Sequence, residues 1–394
     1  MRAGLLALLL VLPCAAGCGP VGGVQESGGA AGVGGTITAG SGGTAGSAGG
    51  GAGGLGGTSG IGGGGSGGVP QQGGDVGAIQ VEGVAPFRGA ATGAYTIMHD
   101  DLCDYNIDSL FDVAEPELNA RGLKAAFGVI VQRCQERSVW AKVNAMVEHG
   151  HEIMNHSWTH EDIGLGADIA VQVDQATMVL NQNLTYGPAK FFIFPYDSFT
   201  DEVVAHLATL GYSGARAGSK GLNQADFGDG LRVMFDVYGG ENSIYNAQGD
   251  ILKYYVDLAI SNAGWAVREF HGIADETFDP IPTADYQAHL DYIKSKVDTN
   301  ELWVDTPSSV INYRFARMHC GNAVASGNGL SFPTTDSQCP SFPSTVSVII
   351  TTAIDVTTLY AVQQNLQRVT KKLGPGRYAV DMDPMAGVAV ITGD

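Results

Sequence analysis

At 394 residues and 44% hydrophobic content, the chain has material for one large domain and a smaller one. A net charge of −19, with no basic run anywhere, excludes a partner gripped by phosphate neutralisation, so nucleic acid is not expected. Beyond the amino terminus, no stretch approaches the roughly 18 apolar residues that a membrane span needs.

Arg2, the apolar run from Leu5 to Leu12 and the small residues ending in Ala15-Ala16-Gly17-Cys18 predict an export signal over 1–18. It resembles a bacterial lipoprotein signal with Cys18 as the lipidated residue, although Ala15 stands where such signals usually carry leucine. An ordinary secretory signal is the alternative, and either one places the mature chain outside the cytoplasm. From 19 to 75 the sequence is Gly, Ser, Ala and Thr with scattered aliphatics, too poor in apolar volume to offset ordering, and predicts a disordered tether. Of the six cysteines, Cys14 and Cys18 fall in the signal. Cys103, Cys134, Cys320 and Cys339 remain, an even number for an oxidising compartment, and each of the pairs Cys103–Cys134 and Cys320–Cys339 falls within one predicted region.

Strands and helices alternate from 76 to 317. A strand ends in Asp100 and Asp101; helix is predicted over 108–121, strand over 123–131, and helix over 138–148 with apolar spacing at Val139, Val143, Met146 and Val147. The unit then repeats as strand 151–155, helix 167–184, strand 191–194 and helix 201–210. Strand-like 213–217 and 231–237 precede helix 247–262, strand 265–270, helix 284–297 and a last strand at 302–304. This alternation predicts a parallel sheet, and the number of units predicts a barrel with its chemistry at the carboxyl ends of the strands. From 318 to 394 the pattern turns β-rich, with runs at 345–352, 358–363, 377–381 and 387–392, and predicts a small appended β-domain.

The stretch His151-Glu-Ile-Met-Asn-His-Ser-Trp-Thr-His160 looks like half of a metal site. His156 and His160 lie four apart, so a helix beginning after the strand would turn both imidazoles to one face. A hydrolytic zinc site takes three protein ligands and keeps a position open for water, which calls for a carboxylate from elsewhere. Asp100 and Asp101 are the obvious donors: one can bind metal while its neighbour stays free as a base. On their own, two histidines at this spacing are more often structural than ligating. His99 reads as packing, with ligation in place of Asp101 as the alternative. His149 and His151 read as solvated, and His206, His289 and His319 as structural residues without acidic company.

Assembled, these residues resemble the polysaccharide deacetylase family, carbohydrate esterase family 4, over roughly 91–313. Its Asp-Asp motif appears as Thr96-Ile97-Met98-His99-Asp100-Asp101, and its Asn-His-Ser/Thr-x-Ser/Thr-His motif as Asn155-His156-Ser157-Trp158-Thr159-His160. Arg-x-Pro-Tyr survives only as Phe194-Pro195-Tyr196, with Ile193 in the arginine's place, and Leu-x-His is approximated by Glu269-Phe270-His271. The resemblance implies a distorted (β/α) barrel with Asp100 as base, Asp101, His156 and His160 as metal ligands, the Tyr196 N–H as oxyanion donor and His271 as general acid. It implies a divalent metal, Zn2+ before Co2+ or Mn2+, an acetylated poly- or oligosaccharide as partner, a monomer, and contact with a membrane only through a lipid on Cys18. The function it implies is metal-dependent hydrolysis of acetyl groups, N-acetyl or also O-acetyl, on a polysaccharide; a carbohydrate-binding envelope protein without activity, and a hydrolase of a non-carbohydrate amide, are the alternatives. In the family the missing arginine braces the base; Arg216, Arg232 and Arg268 are candidates to replace it, and Asp236 and Asp275 to replace the acid that orients His271.

Overall fold

The structure, a computed structural model, describes residues 73–105, 108–239 and 242–394. The expected signal with Cys18, and nearly all of the expected tether, lie outside the described residues. No helix among the described residues is long and apolar enough to cross a membrane.

The strand Gly93–Leu102 is the spine of the larger domain. Ala94, Tyr95, Ile97 and Met98 are fully buried, as befits a strand covered on both faces. On one edge it pairs in parallel with Gly264–Phe270; on the other it pairs first with Leu302–Val304 and then with Ala126–Val129. Glu152–Asn155, Phe191–Ile193 and Gly214–Arg216 extend the sheet in parallel from Ala126–Val129. Beyond Gly264–Phe270 lie the parallel Asp236–Val237 and the antiparallel Asn223–Gln224. Irregular chain bridges the gap between Gly214–Arg216 and Asp236–Val237: the Val233 N–H donates to Ala215 O at 3.0 Å and the Gly218 N–H to Val233 O at 3.0 Å. The fold is thus the barrel that the alternation predicts, distorted as the resemblance implies.

Alternation along the strands decides what points inward. Ala94 and Met98, Ala126, Met154, Phe191 and Ile193, and Trp265 and Val267 fill the interior as one apolar cluster. Continuing that parity to the carboxyl ends brings Asp100, His156, Arg216 and Glu269 to the top layer. Gly128 belongs to it because a Cβ there would stand 2.9 Å from Ile193 Cδ1 and 3.3 Å from His156 Cβ.

The appended β-domain is a sandwich of two antiparallel sheets, one of Ile79–Val84, Val346–Thr352, Arg377–Met382 and Thr370–Gly374, the other of Val324–Ser326, Gly329–Ser331, Ala389–Gly393, Leu359–Gln363 and Leu366–Arg368. Its core draws on both, through Val348, Ile350, Tyr378 and Val380 on one side and Leu330, Leu359, Ala361 and Ile391 on the other. One boundary needs correction. Ile79–Val84, which a barrel beginning at 76 would include, pairs with Val346–Thr352 and packs Ile79 and Val81 onto the sandwich core. Only a partner more than 260 residues away, with Ile79 opposite Thr352, gives this short half-exposed strand a place.

Both disulfides form as paired above, Cys103–Cys134 and Cys320–Cys339, and they are consistent with an exported protein. Cys103–Cys134 ties the chain just after Asp101 to the helix Val131–Arg137. Its 31-residue separation corresponds to roughly 3–4 kcal/mol of loop-closure stabilisation. Replacing both Cys103 and Cys134 by Ser is therefore expected to lower the unfolding free energy by about that amount in urea titrations. An unchanged midpoint would show that the bond contributes nothing.

Candidate metal centre and active site

Successive residues of a strand face opposite sides, so Asp100 and Asp101 should not serve one pocket. Asp101 escapes this by adopting a left-handed conformation (φ 62°) where the pairing with Ala126–Val129 slips between His99 and Leu102. Such a bulge re-aims a side chain, and both carboxyls reach a cavity of about 440 Å3 lined by Asp100, Asp101, His156, His160, Arg216 and His271.

The two histidines do not share a helix. After Glu152–Asn155 the chain runs irregularly to 168, and left-handed turns at Ser157 (φ 68°) and His160 (φ 66°) bring the imidazoles together with ring centres 4.7 Å apart. Local hydrogen bonds hold the turn: Asn155 Oδ1 accepts from the Ser157 N–H at 2.9 Å and Ser157 Oγ from the His160 N–H at 2.9 Å. These bonds account for the Asn and Ser of the motif.

Asp101 Oδ1 lies 3.3 Å from His156 Nε2 and 3.2 Å from His160 Nε2, and this buried oxygen accepts no hydrogen bond among the described residues. His156 Nδ1 donates to Ile193 O at 3.1 Å, which leaves Nε2 with its lone pair toward the cavity. Burial and the nearby His156 hold His160 down at about 4, so its ring is neutral at working pH. Burial pushes the Asp101 carboxyl up, but the close His156 imidazole, with His160 and His271 beyond it, outweighs it and keeps it ionised. One carboxylate oxygen and two imidazole nitrogens converging on one point, one nitrogen fixed from behind, fit a divalent ion of the zinc class.

Asp100 stands beside this trio and is held differently. Arg216 Nη1 donates to Oδ1 at 2.9 Å and Nη2 to Oδ2 at 2.7 Å, a two-pronged clamp on a carboxylate that is 2% exposed. Burial alone would raise the Asp100 carboxyl, but Arg216 and then His156 bring it below its ordinary value. Arg216 is the register partner of Ile193. The guanidinium missing at Ile193 is thus supplied from the next strand at the same level. Arg268, on the opposite parity, pairs with Asp236 outside the barrel at 2.6 Å, and Arg232 pairs with Asp201 at the surface.

His271 follows the strand Gly264–Phe270, with Nε2 4.0 Å from Asp101 Oδ2 and 3.9 Å from Glu269 Oε1. Neither expected orienting acid reaches it. Asp236 is engaged with Arg268 and Ser243, Asp275 with Ser109 and Thr277, and His271 Nδ1 has no partner among the described residues. Its backbone is fixed instead: His99 Nδ1 donates to His271 O at 2.9 Å while His99 Nε2 bonds the Tyr286 hydroxyl at 2.9 Å. With both nitrogens used, His99 is a brace rather than a ligand. Tyr196 lies at the cavity mouth with φ 58° and its ring against His160, centres 4.8 Å apart.

Sequence reasoning passed over two contributors, Asp197 and Glu269, and misplaced three histidines elsewhere. Asp197 accepts a third bond from Arg216 at 2.9 Å. Glu269 was visible only as a charge in an otherwise apolar interior run. His151, expected in solvent, is buried and held at about 4 by that burial, its Nδ1 accepting from the Ala125 N–H. His206 and His319, expected without acids, bond Asp174 and Asp336.

Residues 94–215 match the family described as polysaccharide deacetylase. That span carries Asp100, Asp101, His156, His160 and Tyr196 in the barrel just described, and a β-rich domain is appended to it. Similar solved structures include a family 4 carbohydrate esterase from Streptomyces lividans in complex with acetate, at 17% identity over 55% of this chain and 93% of that one, TM-score 0.36. The esterase family 4 domain of a multidomain xylanase from the hindgut metagenome of Trinervitermes trinervoides shares 15% identity over 55% and 89%, TM-score 0.37. A family 4 pseudoenzyme from Bacillus anthracis shares 14% over 57% and 66%, TM-score 0.39. No curated protein matches the chain.

Asp100 folds with its carboxyl below the unfolded value of 3.8, so its pairing stabilises the fold above that pH and is lost as pH falls through the folded value. Arg216→Met is expected to cost about 3–5 kcal/mol at pH 7 by leaving a buried charge unpaired. The deficit should shrink at pH 3, where the mutant's Asp100 is protonated. Urea titrations at the two pH values test this, and an equal deficit at both would contradict the pairing.

Proposed function

We propose that the protein is a metal-dependent deacylase acting on acetylated polysaccharide, exported to the cell envelope and held there by a lipid on Cys18. The observation that carries this reading is the division of labour between adjacent acids: Asp101 Oδ1, free of hydrogen bonds among the described residues, lies 3.3 and 3.2 Å from two imidazole nitrogens, while Asp100, 3.8 Å from His156 Nε2, has both oxygens taken by Arg216. Asp101, His156 and His160 would hold the metal, which when bound lowers the pKa of water and polarises a carbonyl.

The remaining work falls to the chain. Asp100 stays ionised at neutral pH and takes the proton as water attacks the acyl carbon. Arg216 fixes its orientation through two parallel hydrogen bonds and keeps it ionised. The Tyr196 N–H, presented by the turn Pro195–Asp197, donates to the developing oxyanion. His271 delivers a proton to the leaving nitrogen or oxygen. Tyr196 and Phe278, both more than half exposed at the mouth, offer aromatic surface to a sugar ring.

Acetate should be released from acetylated oligosaccharides by the zinc-loaded protein, and a chelator should stop it. Asp100→Asn is expected to reduce turnover by on the order of 10³-fold while zinc content stays near that of the wild type; Asp101→Ala should lose the zinc. Zinc lost with Asp100→Asn and kept with Asp101→Ala would reverse the assignments. In cells, labelled palmitate should enter the wild type but not Cys18→Ser, and equal labelling would refute the lipid site.

A further inference from the structure

Glu269 is unlike the rest of its strand. Trp265 and Val267, which share its face, are apolar core, and the residue it replaces in the resembled motif is a leucine. It is 4% exposed, and neither carboxyl oxygen is hydrogen-bonded among the described residues. Oε2 stands 3.3 Å from Arg216 Nη1 without a hydrogen bond, and Oε1 3.9 Å from His271 Nε2. Arg216 gives its hydrogen bonds to Asp100 and Asp197 and meets Glu269 only as an ion pair. A carboxyl buried this deeply, with a charge beside it but no hydrogen bond, costs stability unless a ligand satisfies it.

The exposure gradient says which part of a ligand arrives there. Tyr196 and Phe278, 67% and 60% exposed, form the mouth; Asp100, Arg216 and Glu269, at 4% or less, form the floor. A glycan chain is confined to the mouth, so only the acyl group reaches the floor. Glu269 offers oxygens within 4.8 Å of both Asp100 and His271, and so lies beneath the position where the acyl carbon must sit between base and acid.

We propose that Glu269 selects the acyl group, and that this group carries a hydroxyl on the carbon next to the carbonyl, as an N-glycolyl amide does, in place of a bare methyl. The proposal rests on the deacylase reading and narrows its substrate. A methyl would cover the carboxyl and leave it dry. A hydroxyl donates to the ionised form and accepts from the protonated form, so it pairs with Glu269 in either state. Water adds to the acyl carbon and gives its proton to Asp100, the C–N bond breaks, and the nitrogen takes a proton from His271. Glycolate and an amine leave, with no co-reactant but water.

The test uses the full zinc-loaded chain with matched N-acetyl and N-glycolyl glucosamine oligomers, following acid release. In parallel, calorimetry compares glycolate and acetate binding to the wild type, Glu269→Gln and Glu269→Leu. The wild type should favour the glycolyl oligomer by about tenfold or more in kcat/KM and bind glycolate tighter than acetate. Glu269→Gln, which still hydrogen-bonds, should keep the preference; Glu269→Leu should abolish or invert it at unchanged zinc content. A wild-type ratio of one or below, or the same ratio in Glu269→Leu, overturns the proposal. Preferential glycolate binding without hydrolysis of either oligomer would sink the deacylase reading and leave selection by Glu269 standing.

Discussion

Two carboxylates side by side in a dry pocket repel each other, and the site depends on how that repulsion is resolved. Arg216 is the answer. Its guanidinium lies under the pocket at the end of the strand Gly214–Arg216, meets Asp100 with two parallel hydrogen bonds, and braces itself against Asp197 and the Phe235 ring. A planar, always-charged fork suits this task where a lysine would not. It neutralises Asp100 without bringing a labile proton, and so leaves Asp101 free to face the imidazoles.

The barrel makes this affordable in conformational terms. Parallel strands deliver Asp100, His156, Arg216 and Glu269 to one layer from four separate stretches of chain, each fixed by backbone pairing rather than by loop conformation. The departures from regularity are local. A left-handed Asp101 turns the second acid inward, left-handed Ser157 and His160 fold the histidine loop back on itself, and left-handed Tyr196 sets the turn at the mouth. Uncommon for residues with side chains, such conformations concentrate where function over-determines the backbone. The disulfide from Cys103 anchors the chain two residues past Asp101.

Much of this could be read from the chain, because strand ends and short-range motifs are local. Asp100, Asp101, His156 and His160 stand out as adjacent acids at a strand end and a close histidine pair, and the resemblance to a family gives them their roles. Arg216 could be narrowed only to one of three arginines. Parity settles it: Arg268 sits one residue off the inward-facing Val267 and Glu269, while Arg216 is two from the inward Gly214. The helix expected for the histidine pair does not form, because hydrogen bonds from Asn155 and Ser157 to the backbone compete with helical ones. The strand Ile79–Val84 was assigned to the barrel because its partner lies at the other end of the chain, and no local pattern reports such a pairing. The buried, unbonded state of Glu269 likewise depends on where Arg216 points, which is a property of the assembled barrel.

The central claim is that Asp101, His156 and His160 bind one ion while Asp100 does not. X-ray absorption at the zinc edge of the loaded protein tests it most directly. One equivalent of zinc should show two imidazole nitrogens at about 2.0–2.1 Å and a carboxylate oxygen at about 2.0–2.2 Å, a shell that Asp100→Asn leaves intact. A shell without imidazole, or one that changes when Asp100 is replaced, would contradict the account.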